Sequence, residues 1–281
     1  MLHWFYLVNE WRWLIKTWKL PRFRILGTIR DGCKKYKLAC RAIRSHHPGR
    51  LQEFKNAFNA LRTRSDFKTL EYKSIFDEST LARIPEIINS IRPTEIELHE
   101  LRDFRRFILH DHPYMTMLQH NLIDLVSEGA WEEVEPAYNF LCLYRSGGVC
   151  KVHMDAPVAK WTLDVCIEQD EPWPIYLSQV LDWPENYIQP RGDWEKQIKM
   201  SCANEFDSYS LDAGTGILFS GSSQWHYRDK KPMSSSPKLS PFCDLIFFHY
   251  IPVGMSEIVK PMNWHRIFDL PELSAPSFEC D

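Results

Sequence analysis

The chain has 281 residues, 44% of them hydrophobic, and a formal net charge of −3. This length and apolar content are sufficient for a buried core in one large domain or two. Eight cysteines are scattered along the chain without a C-x-x-C pair, which argues against structural zinc and against a redox dithiol, so reduced thiols are expected. There is no internal repeat and no low-complexity tract.

Positive charge is concentrated at the start of the chain. Residues 1–50 hold twelve Lys or Arg against Glu10 and Asp31, a net charge of +10, and the remaining residues carry −13. Such asymmetry is typical of contact with an acidic partner, a nucleic acid or an anionic membrane surface. Five apolar residues in this segment recur at helical spacing: Trp4, Val8, Trp11, Ile15 and Trp18. They indicate a helix that either lies on a membrane surface or, as we favour, packs on the acidic remainder of the protein.

This first segment is not predicted to span a membrane. Asn9, Glu10 and Arg12 interrupt the apolar run far short of the ~20 residues required. No small-residue cleavage site of a signal peptide follows it. We therefore expect a cytoplasmic protein, with peripheral membrane contact through residues 1–50 as the alternative. Nucleic-acid binding is not expected, because no base-reading module is evident.

The next stretch, to residue 135, is predicted to be helical. Pro48-Gly49 separates one helix from the next. Three further helices are predicted: 81–90, capped by Ser79 or Thr80; Pro93-Thr94 to Leu109; and Met115 to Gly129, where the glycine would end the helix. We expect this N-terminal region, 1–135, to brace a sheet formed by the rest of the chain.

The stretch YNFLCLYRSGGVCKVHMD, residues 138–155, carries the first candidate site residues. Two apolar runs flank the turn Gly147-Gly148, and the second run delivers His153 and Asp155 two positions apart. Residues i and i+2 of a strand point to the same face, so both side chains are expected on one wall. An imidazole and a carboxylate are two of the three ligands of a facial triad, which binds iron(II) and leaves coordination positions open.

A distant histidine is the expected third ligand. His226 follows a predicted strand over 217–219, within YSLDAGTGILFSGSSQWHYR. Either piece has an ordinary alternative, because H-x-D is frequent by chance and a lone histidine is usually a surface or core residue. Together, each at a strand beside a glycine turn, His153, Asp155 and His226 favour a metal site.

Four segments extend this pattern: YRSGGVCKVHMD, WTLDVCIEQDEPWPIYL, LDAGTGILFSGSSQWHYRD and DLIFFHYIP. They resemble the core of the iron(II)/2-oxoglutarate-dependent dioxygenases over residues 136–255. The resemblance implies an α+β protein whose residues 136–281 form a double-stranded β-helix, or jelly roll, integrated with the helical N-terminal half. It also implies the cofactors Fe(II), 2-oxoglutarate and O₂, and an enzyme that oxidises a substrate C–H bond while 2-oxoglutarate becomes succinate and CO₂.

In the family, an Arg or Lys on the last strand binds the far carboxylate of 2-oxoglutarate. Here that strand carries neither residue, which departs from the family pattern. Arg228 is the first candidate, because it lies two residues after His226 and shares its face if the strand continues. Lys238 and Arg145 are the next candidates. The ordinary alternative for Arg228 is a surface ion pair with Asp229.

The reaction and the substrate are constrained less. The halogenating relatives lack the carboxylate that Asp155 supplies, so hydroxylation or another oxidation is favoured over halogenation. An aromatic-rich neighbourhood around Trp161 and Tyr176 is compatible with a small-molecule substrate or with ordinary packing. The segment 178–206 is either a lid or an extra helix. A cupin-like metalloenzyme without 2-oxoglutarate, and a non-catalytic jelly-roll binding module, remain the alternative functions.

Overall fold

Two antiparallel sheets form the centre of the structure, a computed structural model that describes residues 29–182, 193–233 and 240–274. The strands of these residues are β1 (Leu70–Tyr72), β2 (Arg106–His110), β3 (Val134–Tyr144), β4 (Cys150–His153), β5 (Trp161–Gln169), β6 (Ile175–Ser178), β7 (Phe206–Tyr209), β8 (Gly216–Ser220), β9 (His226–Arg228) and β10 (Cys243–Pro252). Six pair in the order β1-β8-β5-β10-β3-β2, and four in the order β4-β9-β6-β7.

Helices accompany the sheets, mostly before β3. They are α1 (Ile29–His46), α2 (Leu51–Ala57), α3 (Glu78–Ser90), α4 (Leu101–Phe104), α5 (Pro113–Asn121), α6 (Ile123–Ala130), α7 (Trp194–Lys199) and α8 (Trp264–Ile267), with short 3₁₀ turns between them. The predicted combination of helices and strands is therefore present. The predicted basic helix and Lys238 lie outside the described residues. No helix within the described ranges is long and apolar enough to cross a membrane.

The six-stranded sheet has two buried faces, because both of its sides are covered. Alternate residues of β3 divide between them: Leu141 and Leu143 pack with the helices α3, α5 and α6, whereas Cys142 and Tyr144 pack between the two sheets. This division follows from the two-residue period of a strand. The space between the sheets is the interior into which site residues of β4, β5, β9 and β10 project.

The prediction of a helix running to Leu109 was wrong. The chain forms α4, turns at Arg105 with a left-handed φ of 57°, and continues as β2, which pairs with β3 from Arg106 opposite Tyr144 to His110 opposite Phe140. β1 also joins the six-stranded sheet, at its other edge beside β8. The N-terminal region is therefore not wholly helical, since it supplies both edge strands.

Smaller boundaries also differ from the predictions. The helix α3 begins at Glu78, three residues before the predicted start at 81, because Asp77 and not Ser79 or Thr80 is its cap: the carboxylate of Asp77 accepts the N–H of Thr80 at 2.7 Å. Gly129 lies inside α6 rather than at its end, and the left-handed residue that ends this helix is Trp131, with a φ of 56°.

The described part of segment 178–206 contains the helix α7. Its Ile198 is buried with Val152, Trp225 and Tyr227, which belong to the outer face of the four-stranded sheet. This placement agrees with the extra-helix interpretation of that segment. The helix covers the strands that carry the candidate histidines from the outside and leaves their inner face to the interior.

Candidate metal centre and its cavity

The neighbouring strands β4 and β9 bring the three predicted ligands together. His153 and His226 are partners in the antiparallel register, so their side chains leave adjacent strands at the same level. Asp155 follows two residues after His153, and its N–H donates to the carbonyl of Gly221 at 2.8 Å. One ligand atom from each of the three side chains lies within 4.8 Å of the others.

The two imidazoles point the same nitrogen toward the carboxylate. His153 Nε2 lies 3.5 Å from Asp155 Oδ1, and His226 Nε2 lies 3.7 Å from the same oxygen. Each Nδ1 donates to a backbone carbonyl, that of Lys151 at 2.7 Å and that of Gln224 at 3.0 Å. Donation from Nδ1 leaves the lone pair of a neutral imidazole on Nε2, which is the state that binds a metal. The backbone therefore selects the ligating nitrogen of both histidines.

The charges of the three groups support one another. Burial raises the pKa of the Asp155 carboxyl, but the facing His226 and His153 outweigh burial and hold that pKa well below its usual range. Burial and the neighbouring His153 lower the pKa of His226. Burial opposes, but Cys150 and Asp155 outweigh it and raise the pKa of His153 well above its ordinary value. Metal binding at His153 therefore displaces a proton, whereas the Asp155 carboxylate and the His226 imidazole already favour the forms that bind a divalent cation.

Gly221 leaves the space that the Asp155 carboxylate occupies. A Cβ on Gly221 would lie 2.3 Å from Asp155 Oδ2 and 2.6 Å from both Ala159 O and Thr162 Oγ1. Such distances are not compatible with van der Waals contact, and two of the three atoms cannot move without disturbing the wall of the site. A glycine is therefore required here because of this close approach.

We expect Gly221→Ala to weaken divalent-metal binding by about 10- to 100-fold, the size typical of a change beside a metal ligand. The reason is that the new methyl group displaces Asp155 without removing any ligand. Metal titration followed by calorimetry measures the effect. Gly49→Ala is the matched control, because a Cβ there meets nothing within 4 Å. Equal affinities in the two variants would contradict the assigned position of the carboxylate.

The three groups open onto a cavity of about 130 Å³ between the sheets. Its aromatic lining comes from the six-stranded sheet and includes Tyr138 and Phe140 on β3, Phe219 on β8 and Phe247 on β10. Its polar lining, apart from the three candidate ligands, includes Arg106, Thr162, Arg228 and His249. A small, largely apolar cavity with a few convergent polar groups is the usual form of a small-molecule site.

Arg228 lines the cavity, as the shared face with His226 predicts, but it is already paired. Its Nη2 donates to Asp164 Oδ2 at 2.7 Å, and its Nη1 donates to the carbonyl of Trp173. Both members of the ion pair are at most 2% exposed. Its partner is therefore Asp164 on the opposite sheet and not the adjacent Asp229, which pairs with Lys199.

The other two cation candidates differ. Arg145 is not among the residues that line the cavity, and its guanidinium donates to Asp244 Oδ1 at 2.5 Å. Lys238 lies outside the described residues.

Arg106 is a cavity cation that the sequence analysis missed. Its Nε donates to Glu100, its Nη1 donates to the hydroxyl of Tyr144 at 2.8 Å, and its guanidinium lies over the Phe140 ring at 5.7 Å. Nη2 has no hydrogen-bond partner among the described residues, and the side chain is 12% exposed. The local sequence predicts a helix at residue 106, and only the pairing of β2 with β3 brings Arg106 to the cavity.

Thr162 and His249 were also missed. The Thr162 hydroxyl donates to Asp155 Oδ2 at 3.2 Å and lies 3.0 Å from His249 Nδ1. Each polar side chain lies at a buried strand position between two buried apolar residues, Thr162 in β5 and His249 in β10. A polar residue in a fully buried strand needs a partner. That pattern is the signal that could have marked both residues as part of the interior.

The sequence matches no family model and no curated protein. Solved structures similar in fold include HygX from Streptomyces hygroscopicus with nickel and 2-oxoglutarate bound (10% identity, TM-score 0.46, 72% of this chain and 87% of that chain). They also include AviO1 from Streptomyces viridochromogenes Tue57 (13% identity, TM-score 0.48, 71% of this chain and 95% of that chain). A third is EctD from S. alaskensis in its apoform (14% identity, TM-score 0.48, 70% of this chain and 75% of that chain). At these sequence identities and TM-scores the similarity carries no functional assignment, and the evidence on function is the geometry of the site.

Proposed function

We propose that the protein is a non-haem Fe(II)/2-oxoglutarate-dependent oxygenase that oxidises a C–H bond of a small molecule. The convergence of His153 Nε2, His226 Nε2 and an Asp155 oxygen at one wall of a cavity carries this proposal. Two histidines and one carboxylate on one side of a metal, with open positions on the other, are the ligand set of the non-haem iron(II) oxygenases. The carboxylate ligand favours hydroxylation or a related oxidation over halogenation.

The strand order supports the jelly-roll part of the proposal. From β3 to β10 the chain alternates between the sheets, except that β6 and β7 are neighbours in the smaller one. This order places β8-β5-β10-β3 opposite β4-β9-β6-β7, the arrangement of a double-stranded β-helix. β1 and β2 extend the larger sheet from the N-terminal region, so we also propose that residues 1–135 and 136–281 form one integrated unit.

When bound, iron and 2-oxoglutarate would supply oxidation of the substrate coupled to decarboxylation of 2-oxoglutarate to succinate. The residues of this chain would hold and orient these groups. His153, Asp155 and His226 would bind the metal, and the backbone carbonyls behind both histidines would fix their rings. The aromatic lining would exclude water from the reacting atoms.

For the far carboxylate of 2-oxoglutarate we propose Arg106. The carboxylate needs a buried cation with free N–H groups. Arg228 has already committed both terminal nitrogens, to Asp164 and Trp173. Arg106 is held in place by Glu100 and Tyr144, and its Nη2 stays free among the described residues. Arg106 and Arg228 line the same cavity.

An anaerobic titration tests the proposed function. We expect 2-oxoglutarate, added to the full chain with Fe(II), to produce the weak visible charge-transfer band of the metal complex. Arg106→Gln should require about 10- to 100-fold more 2-oxoglutarate, the range for loss of a hydrogen bond to a charged group. Arg145→Gln is the matched control and should titrate as the wild type does.

Two outcomes would count against these assignments. A folded wild-type protein that gives no band would refute the oxygenase proposal and favour a cupin-like enzyme or a non-catalytic binding module. A larger effect in a folded Arg228→Gln variant than in Arg106→Gln would return the carboxylate site to Arg228.

A cytoplasmic location and a small-molecule substrate are part of the same proposal. None of the six cysteines whose side chains the structure describes forms a disulfide, and five of these six are buried: Cys40, Cys142, Cys150, Cys166 and Cys243. Free thiols agree with a reducing compartment. The cavity between the sheets, with aromatic side chains and a few polar groups in its wall, supports a small molecule as the substrate.

A further inference from the structure

His249 is a buried polar residue that the metal centre does not use. It lies on β10, lines the cavity and is 2% exposed. Its Nδ1 contacts Thr162, but its Nε2 is buried and has no hydrogen-bond partner among the described residues. An unpaired buried nitrogen is costly, so its presence in a cavity wall indicates a ligand that completes it.

The hydrogen-bond chain behind His249 defines what that ligand must offer. Asp155 is an ionised carboxylate and can only accept, so the single hydroxyl hydrogen of Thr162 goes to its Oδ2. The Thr162 oxygen must then accept the N–H of His249 Nδ1. In a neutral imidazole this leaves Nε2 as an acceptor. Burial lowers the pKa of His249 to about 4, which agrees with a neutral imidazole.

Thr162 and three aromatic rings surround the His249 imidazole in the cavity wall. Tyr138 stacks on the His249 ring at a centroid distance of 4.3 Å, and Phe247 lies parallel to it at 6.3 Å. Phe140 stacks on Phe247 at 5.0 Å and lies 5.5 Å from His249. The Nδ1 edge of the imidazole therefore faces Thr162, neighbouring rings flank it, and the side chain that carries the unpaired Nε2 lines the cavity.

We propose that His249 Nε2 accepts a hydrogen bond from a hydroxyl or N–H group carried on a flat ring of the substrate. The aromatic wall formed by Tyr138, Phe140 and Phe247 would bury the ring of such a molecule with little loss of side-chain freedom. The acceptor would set which edge of that ring faces inward. This inference deepens the proposed function and rests on it for the reaction, whereas the binding site itself does not depend on the metal.

A pair of probes isolates the acceptor. Phenol carries a ring and one donor, and anisole carries a similar ring without the donor. We expect the metal-free full chain to bind phenol about fivefold more tightly than anisole, the ratio that corresponds to one ordinary hydrogen bond. Dissociation constants from ligand-observed NMR give this preference directly.

Variants of the wall locate the source of the preference. His249→Phe keeps a stacked ring without the acceptor and should reduce the preference to about one. His249→Gln places a side-chain oxygen near the position of Nε2 and should keep most of it. Tyr138→Phe keeps the ring of the wall and removes its hydroxyl, so this variant tests whether that hydroxyl is the source of the preference instead of His249.

The inference is overturned if wild type shows no preference, since a buried water would then satisfy His249. It is also overturned if the preference survives His249→Phe or disappears in Tyr138→Phe. Failure of the proposed function would give a different result. The preference for phenol over anisole would remain, but Fe(II) and 2-oxoglutarate would give no charge-transfer band.

Discussion

Replacing His226 with alanine is expected to lower Fe(II) affinity by more than about 100-fold and to abolish 2-oxoglutarate turnover. Changes beside a metal ligand already cost about 10- to 100-fold, and this variant removes the ligand itself. His226 is 5% exposed and lies opposite His153, so its loss leaves the buried wall of the site with two of the three ligands. Anaerobic calorimetry of Fe(II) binding, with succinate release as a second readout, measures both effects.

Two controls make this result specific. His120 lies on the exposed side of α5, so His120→Ala should bind Fe(II) as the wild type does. Asp155→Ala should resemble His226→Ala, because both remove one of three ligands from the same side of the metal. Fe(II) binding that persists in His226→Ala would place the metal elsewhere and remove the main support for the proposed function.

Arg228→Ala is expected to lower the free energy of unfolding by about 3–5 kcal/mol, the cost of leaving a buried charge without its partner. Asp164 is fully buried on the opposite sheet, and its second oxygen has no partner among the described residues. The pKa of the Asp164 carboxyl is raised, because the effect of burial is larger than the opposing effect of the Arg228 guanidinium. The ion pair links the two sheets across the interior. Urea unfolding followed by circular dichroism gives the difference.

A double variant separates the ion pair from the shape of the interior. Replacing both partners, as Arg228→Met with Asp164→Leu, should recover much of the lost stability, because apolar groups of similar volume often replace a buried pair without loss. Arg83→Ala is the surface control and should cost about 0–1 kcal/mol, since its pair with Glu86 is exposed. A loss in Arg228→Ala no larger than in this control would show that the buried pair is not structural, and Arg228 would then be free for the co-substrate.

The ligand residues were accessible to reasoning from sequence because their signal is local. Spacing of two residues in a strand puts His153 and Asp155 on one wall, whatever the rest of the chain does. The apolar runs before His153 and His226 predict strands on their own composition. The register of β4 and β9, which places the two histidines opposite each other, agrees with that prediction.

The edge strand β2 shows why other elements were not accessible. The segment RFILH is short and its central three residues are apolar. A short apolar run of this kind fits a helix or a strand equally well. Pairing with β3 decides in favour of the strand, and that pairing depends on residues thirty or more positions away. The same pairing brings Arg106 to the cavity, which no local pattern could indicate.

The sequence by itself determined the three candidate metal ligands and most strands of the two sheets, because side-chain type and two-residue spacing act within a few residues. Only the tertiary structure decided how the other interior polar groups are used. It pairs Arg228 with Asp164 instead of the adjacent Asp229, and it leaves His249 Nε2 at the cavity without a protein partner. Partner choice between buried groups depends on register and on burial, which arise only when distant strands come together.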